Sequence, residues 1–319
     1  GMQQREPQRQ MKQPYPGLVN LGNTCYIGAV IQCLLHCDAS RTHLLALPDA
    51  AADDDGLAED FIPQLKQLAA HLVRGATAQG CQRQVLFDVY SPHAFLDAFL
   101  NSRPLVLGDQ HDAREAIEQI LTQSGLGSAL FDTGLLEQQQ SDIVSLPSFE
   151  EDGWWFKNFT TPNQEVDMKR LLKDGFLHLP EKLKAVPCLL AVVVPPFAQD
   201  DGTAFYLSGF LRAIWDDGVL DLVECCDDAC DQRAKAVYRL SAFVEYQGDE
   251  DIVPTWTVCG GHFVAHFCEE RLWYEADDSV VTASDLGADP PLVFPYLCIF
   301  KRMDIAATTP WLPSPCYVE

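Results

Sequence analysis

Cys25 combines a reactive side chain with a position that activates it. It follows the tight-turn sequence Gly22-Asn23-Thr24 and opens a segment, residues 25–37, whose apolar residues recur with the spacing of an amphipathic helix. Asn23 or Thr24 is placed to cap that helix. Because a helix N-terminus favours an anion, a thiol in the first turn ionises more readily than a free cysteine. Cys25 is therefore a candidate nucleophile, although a lone cysteine is more often a small packing residue.

A thiol nucleophile needs a neighbouring imidazole, and His262 is the best placed of the eight histidines. It follows Gly260 and Gly261, which would let a substrate backbone come close. It also begins an alternating segment, residues 262–267, and a second strand pattern follows at 271–276. The two segments predict a β-hairpin that carries His262.

The register of this hairpin gives His262 a carboxylate partner. If Glu269 and Glu270 form the loop, His262 faces Asp277 directly on one face of the hairpin, and the opposite face is apolar. The carboxylate could hold the imidazole tautomer and stabilise the imidazolium of a thiolate–imidazolium pair. Asp278 is the alternative partner if the loop is longer by one residue.

Two segments resemble motifs of the ubiquitin-specific protease family of deubiquitinating cysteine proteases. Residues 17–26 (GLVNLGNTCY) are similar to its cysteine box, and residues 261–265 (GHFVA) followed by 273–278 (WYEADD) are similar to its histidine box. Weaker matches lie in the expected order at 110–115, 179–183, 238–248 and 296–302. The resemblance spans residues 17–302, nearly the whole chain.

This resemblance implies a fold, an activity and a set of catalytic residues. The fold is α+β of the papain-like cysteine protease class, with a helical thumb, an antiparallel β palm and short fingers. The activity is thiol-dependent hydrolysis of the bond after the C-terminal glycine of ubiquitin, with no cofactor. By position, Cys25 is the nucleophile, His262 the general base and then acid, and Asp277 the orienting carboxylate. Asn20 matches the oxyanion donor, although it could equally form an Asx-turn that shapes the loop.

Four residues are expected to contact the tail of ubiquitin. Asp112 resembles an acidic residue that binds an arginine of the tail, and a carboxylate at a helix start could accept such a guanidinium. Gly260 and Gly261 would lie against the tail. Residues 249–260 would cover it, with Trp256 as an aromatic lid or simply as a core residue.

The sequence departs from the family's pattern in ways that predict a divergent member. Gly28 stands where Asn is usual, Ala116 replaces Phe, Tyr246 replaces His and Phe263 replaces Tyr. We expect altered tail contacts or reduced activity. The chain has no Cys-x-x-Cys pair, and the cluster Cys225, Cys226 and Cys230 offers fewer than the four ligands of a structural zinc site, so we predict no metal and reduced fingers.

The elements that must position these residues fall into two halves. Helical patterns cover 25–37, 57–74, 90–100 and 112–122, whereas strand patterns cover 189–194, 205–214, 219–223, 242–246, 262–267, 271–276 and 297–301, which predicts an antiparallel sheet. Residues 1–16 are expected to be a disordered arm or the stub of a longer chain. Residues 17–319 form the catalytic domain, with a helical half at 17–134, a fingers-like insertion at 135–178 and the palm at 179–302.

Composition narrows the choice of partners and compartment. The chain has 319 residues, 47% of them apolar, and a net charge of −24. That charge argues against nucleic acid or an anionic membrane as partner and favours a basic one. No apolar run reaches the ~20 residues of a membrane span, and no secretory signal is evident. Twelve cysteines are too sparse for a disulfide scaffold, so we expect reduced thiols in the cytoplasm or nucleus, including those of a cell into which the protein is delivered.

The leading interpretation is a deubiquitinase whose partner is ubiquitin or a ubiquitin-like protein and its conjugates. One alternative is a scaffold that binds ubiquitin and has lost the chemistry. A second is a protease of the same fold that acts on another ubiquitin-like modifier. A third is an unrelated thiol enzyme, such as an acyltransferase, which would keep the Cys-His pair and need no acidic groove.

Overall fold

The computed structural model describes residues 15–48, 61–77, 95–97, 99, 111–135, 142–146, 166–194, 197–200, 203–206, 211–212, 218–247, 261–269, 271–284 and 295–304. These ranges include the segments around both Cys25 and His262. None of the helices within them is long and apolar enough to span a membrane.

Most of the helices lie in the first half of the chain. They are α1 (Cys25–His36), α2 (Asp38–Ala46), α3 (Phe61–Thr77), α4 (Ala113–Ser124), a π-helix (Gly127–Phe131) and α5 (Met168–Leu177). Residues 95–97 and 99 are also helical. The helices predicted at 25–37, 57–74 and 112–122 are confirmed with shifted ends. Sequence patterns missed α2, which buries only Ser40 and Leu44 and so shows little apolar periodicity.

The strands within the described residues form one large sheet and two small ones, and all of them except β1 lie in the second half of the chain. They are β1 (Ile143–Ser145), β2 (Val166–Asp167), β3 (Leu189–Val193), β4 (Phe197–Asp200), β5 (Thr203–Tyr206), β6 (Leu211–Arg212), β7 (Val219–Asp221), β8 (Val237–Gln247), β9 (His262–Glu269), β10 (Leu272–Asp277), β11 (Val280–Ser284) and β12 (Pro295–Arg302). The large sheet runs in the order β1-β3-β12-β8-β9-β10-β11, and β7 pairs with β8.

The predicted antiparallel sheet is confirmed, with one parallel pair at its edge, where β1 lies beside β3. The strand predicted at 205–214 is wrong as a single element. Its residues fall in β5, which forms a small hairpin with β4, and in β6, which pairs in parallel with β2. A continuous apolar pattern therefore does not distinguish one strand from two that end in different sheets.

Helix α1 lies at the centre of the core, where its apolar residues and also the polar Gln32 and His36 are buried. All of its residues except Gly28 are buried, and it packs against β8, β9 and α4. Cys33 donates a hydrogen bond from Sγ to the carbonyl of Phe243 at 3.3 Å, and burial raises the pKa of its thiol. Cys33 is thus a packing residue with a neutral thiol, and it joins α1 to the sheet.

Gly28 of α1 has room for a larger side chain. A Cβ at this position would have no atom within 4 Å, and the residue lies in the interior of a helix. We expect Gly28→Ala to raise the free energy of unfolding by about 0.5–1 kcal/mol, because alanine loses less backbone entropy on folding. Urea denaturation measures the change.

Gly175 is the matched control for this substitution, since it also lies within a helix, α5. A Cβ there would approach the Leu146 side chain to 3.0 Å. Gly175→Ala should therefore gain less than Gly28→Ala or lose stability. No gain at Gly28 would contradict the free space assigned to it, and an equal gain at both positions would contradict the crowding assigned to Gly175.

Candidate active site

The loop before Cys25 is ordered by the side chain of Asn20. Its Oδ1 accepts hydrogen bonds from the backbone N–H of Gly22 and of Thr24, each at 3.1 Å. Gly22 (φ +97°) and Asn23 (φ +55°) both take left-handed conformations, which glycine and asparagine tolerate best. The Asx-turn expected of Asn20 is therefore present, and it delivers Cys25 to the first turn of α1.

The predicted helix cap is only partly correct. Thr24 occupies the N-cap position of α1, but its side chain makes no capping hydrogen bond. Its hydroxyl instead accepts from the N–H of Leu21 at 2.9 Å, within the same loop. The first-turn N–H groups of α1 thus receive no side-chain cap from Thr24, which leaves the positive end of the helix directed at the Cys25 region.

His262 lies between the thiol and a carboxylate. Its Nε2 is 2.7 Å from Oδ1 of Asp277, and the two side chains are 32% and 55% exposed. A hydrogen bond with Cys25 is the largest influence on the imidazole; together with Asp277, and against partial burial, it raises the pKa of His262 to about 9. Because Asp277 engages Nε2, Nδ1 is the ring nitrogen left for the thiol. The structure therefore brings Cys25, His262 and Asp277 together.

The hairpin register differs from the prediction by two residues. Glu269 pairs with Leu272 and Ala265 with Ala276, and Arg271, just before β10, is in a left-handed conformation (φ +70°). The direct pairing of His262 with Asp277 is thus wrong. A shift of two residues leaves each side chain on its face, and diagonal neighbours remain within reach, so the two groups still meet.

The turn between β10 and β11 holds the cysteine loop. Asp278 takes a left-handed conformation (φ +47°). Its backbone carbonyl accepts a hydrogen bond from the N–H of Leu18 at 2.8 Å, and its Oδ2 accepts one from Nδ2 of Asn20 at 3.1 Å. Gly17 lies so close that a Cβ would be 2.3 Å from the Ser279 carbonyl carbon. We refer to these contacts between residues 17–20 and 278–279 as the loop clamp. Asp278 is thus the partner of Asn20, and Asp277 that of His262.

Two groups of side chains carry atoms that could ligate a metal. Among the described residues, the ligand atoms of His262, Asp277 and Asp278 lie within 4.8 Å of one another, and hydrogen bonds already account for this arrangement. In the cysteine cluster, burial raises the pKa of both Cys225 and Cys226 to about 11, which keeps these thiols protonated. The expected absence of a metal stays a prediction.

Asp112 caps α4, as its position predicted. Its Oδ1 accepts the N–H of Arg114 at 2.8 Å and also the hydroxyl of Tyr296, on β12. Burial raises the pKa of Asp112, and these two hydrogen bonds oppose that increase. Sequence reasoning matched Tyr296 only as a strand residue and missed its contact with Asp112. A long-range side-chain pair of this kind leaves no local periodicity to detect.

Of the other residues predicted to bind the tail, Gly261 lies within the described part of the chain. Gly261 takes a left-handed conformation (φ +87°) immediately before β9, which explains the need for glycine there. Gly260, Trp256 and the loop at 249–260 lie outside the described residues, so their roles stay predictions.

Two of the residues that differ from the family's pattern are in contact with each other. Tyr246 on β8 pairs with Phe263 on β9, and their ring centroids are 5.2 Å apart. The ring of Tyr296 lies 5.9 Å from that of Phe263. We call these three residues the aromatic cluster. A third departure, Ala116, is fully buried in α4.

Comparison with known proteins shows a family match and a similarity of fold. The family model described as "Ubiquitin carboxyl-terminal hydrolase" matches residues 16–297. A structure of the SAGA Ubp8/Sgf11/Sus1/Sgf73 deubiquitinase module bound to ubiquitin aldehyde is similar over 94% of this chain and 72% of that chain, with 17% identity and a TM-score of 0.57. The same module bound to monoubiquitin aligns over the same shares, with 16% identity and a TM-score of 0.56. No curated protein sequence matches the chain.

The fold is that of the papain-like cysteine proteases, with helices packed on a mainly antiparallel sheet. The chain belongs to the ubiquitin carboxyl-terminal hydrolase family.

The loop clamp gives a prediction that needs no substrate. Gly17→Ala places a methyl group against the Ser279 backbone, so we expect it to lower the free energy of unfolding by about 1–3 kcal/mol. It should also slow alkylation of Cys25 by iodoacetamide, because the loop that presents the thiol must shift. Urea denaturation and peptide mapping of the alkylated protein measure the two effects. Unchanged values for both would show that the clamp is loose.

Proposed function

We propose that the protein is a cysteine-type deubiquitinase, which hydrolyses the peptide or isopeptide bond after the C-terminal glycine of ubiquitin. The observation that carries the proposal is the cluster of Cys25, His262 and Asp277 at the N-terminus of a helix. Membership of the family and fold similarity to Ubp8 modules that bind ubiquitin aldehyde and monoubiquitin support it.

The first half-reaction forms a thioester. His262 takes the thiol proton of Cys25 at Nδ1, and the thiolate attacks the carbonyl carbon of the terminal glycine. The imidazolium, stabilised by Asp277, then gives that proton to the departing amine as the carbon–nitrogen bond breaks. The ubiquitin chain remains attached to Sγ.

The second half-reaction releases the product. His262 takes a proton from water, the resulting hydroxide attacks the thioester carbonyl, and the carbon–sulfur bond breaks to regenerate the thiolate. In both steps negative charge develops on the carbonyl oxygen. We assign its stabilisation to the Asn20 amide, whose Nδ2 has a second hydrogen besides the one directed at Asp278, and to the N-terminus of α1.

Asp112 and Gly261 complete the proposed site. Asp112 would accept an arginine of the substrate tail, and Gly261 would let the tail backbone pass close to His262. Trp256 and Gly260 would cover and line the same tail. The reducing, intracellular setting expected from the cysteines stays a prediction.

The experiment that tests the proposal is covalent labelling with ubiquitin that carries a C-terminal electrophile, read by intact mass. Wild type should gain one adduct and Cys25→Ala none. Cys268→Ala is the control, because this half-buried thiol lies on β9 outside the site and should label normally. Labelling only by the probe of another modifier would retain the mechanism and change the substrate. No labelling by any probe would favour the binding scaffold.

The two neighbouring aspartates should differ in their effect on catalysis. Asp277→Asn removes the carboxylate that contacts His262, and we expect kcat/KM to fall by about 100-fold or more. Asp278→Asn keeps an oxygen that can accept from Asn20, so its loss should be only a few-fold. Steady-state cleavage of a fluorogenic ubiquitin substrate measures both. Equal losses would contradict the separate assignments of Asp277 and Asp278.

The raised pKa of His262 sets the alkaline limit of activity. The imidazolium persists below pH about 9, and raising the pH through that value removes the proton needed by the leaving amine. We therefore expect kcat/KM to decline above about pH 9. Asp277→Asn removes one of the charges that raise this pKa, so its decline should begin at lower pH. If the decline of kcat/KM begins at the same pH in Asp277→Asn as in wild type, the contact between His262 and Asp277 does not set the alkaline limit.

A further inference from the structure

We propose that Tyr296 is a positioning residue for substrate recognition: its hydroxyl fixes the carboxylate of Asp112 so that the second oxygen faces a guanidinium of the substrate tail. This inference rests on the proposed function. Tyr296 would touch neither the scissile bond nor the thiol, and it would act only through Asp112.

The geometry divides the two oxygens of Asp112 between different tasks. Oδ1 accepts both the Tyr296 hydroxyl and the Arg114 N–H. Within the described part of the chain, Oδ2 accepts no hydrogen bond. One oxygen is therefore fully used in anchoring the side chain, and the other is presented for a ligand that donates.

The charge of Asp112 depends on the same contacts. Burial raises its pKa, and the hydrogen bond from Tyr296 is the strongest influence in the opposite direction, followed by the Arg114 N–H. Of the charged neighbours, Glu115 raises the pKa further and the Arg114 guanidinium lowers it. A guanidinium binds strongly only to an ionised carboxylate, so loss of the Tyr296 hydroxyl should weaken both orientation and charge.

Tyr296 is itself held rigidly. It is 3% exposed, its carbonyl accepts the N–H of Val194 at 2.8 Å, and its ring packs against Phe263 and Tyr246 in the aromatic cluster. The cluster contains two of the departures from the family's pattern, at 246 and 263. These two differences from the family's pattern therefore lie next to the tyrosine that holds Asp112, whereas Cys25, His262 and Asp277 keep the family's pattern.

Tyr296→Phe in the full chain tests the proposal by steady-state cleavage of ubiquitin with a C-terminal fluorophore. We expect KM to rise about five- to tenfold, from the loss of a hydrogen bond to a charged group, with a much smaller change in kcat. The KM increase should grow as the pH falls, because Asp112 then protonates more readily. Tyr238→Phe is the matched control: this buried tyrosine, on β8, donates to the Pro187 carbonyl, and its loss should leave KM unchanged.

A second substrate distinguishes a loss of tail recognition from general damage to the enzyme. When the arginines of the ubiquitin tail are replaced by alanine, wild type and Tyr296→Phe should have the same KM. An unchanged KM for Tyr296→Phe on normal ubiquitin, or an equal penalty on both substrates, would overturn the proposal.

Binding distinguishes this failure from failure of the proposed function. In the Cys25→Ala background, calorimetry with intact ubiquitin should show weaker binding when Tyr296→Phe is added, whether or not wild type cleaves any substrate. Binding without cleavage would refute the enzyme and keep the role of Tyr296. No binding of ubiquitin by Cys25→Ala would overturn both.

Discussion

The site depends on the loop clamp that joins the start of the domain to the turn after β10. The N–H of Leu18 and the amide of Asn20 are both bound by Asp278, and Gly17 lies against the Ser279 backbone. The same turn comes directly after Asp277, the carboxylate that contacts His262. One short segment therefore sets the position of Asp277 and of the loop that precedes Cys25, and a shift of this segment would move both.

The core explains why this clamp can be fixed to within a hydrogen bond. Helix α1 is buried over nearly its whole surface, so the core holds the end of the helix that carries Cys25 while the clamp holds the loop before it. The backbone strain in the loop and turn, at Asn23 and Asp278, is maintained by the hydrogen bonds around Asn20 and by the packing of residues 15–18. A rigid helix and a strained loop together orient the thiol toward the imidazole.

Sequence patterns predicted the parts of the molecule that have a local signature. The amphipathic period of α1, the glycines around the cysteine and the alternation of β9 placed Cys25 and His262 on the correct elements. The pairing of His262 with Asp277 failed because the loop adopted a left-handed Arg271 in place of the expected Glu269-Glu270 turn. The prediction of which side chains share a face was still correct, because a shift of two residues leaves every side chain on the same face of the hairpin.

The features that sequence reasoning missed depend on contacts between distant elements. Nothing in the local pattern around Tyr296 indicates that its hydroxyl reaches the cap of α4, and nothing around Asp278 indicates Asn20. The pairing of Tyr246 with Phe263 became visible only from the register of β8 and β9, which turned two separate departures into one packed pair. Such relations are fixed by the tertiary structure.

The loop clamp also has a consequence for the history of each molecule. Asn20 and Asp278 lie 258 residues apart in sequence, so a growing chain presents Cys25 long before the hairpin that carries its base has been made. Contacts of such long range form late, because closing a long loop costs entropy before it gains contacts. The proposed nucleophile and its proposed base therefore come together only when the chain closes on itself at the end of synthesis.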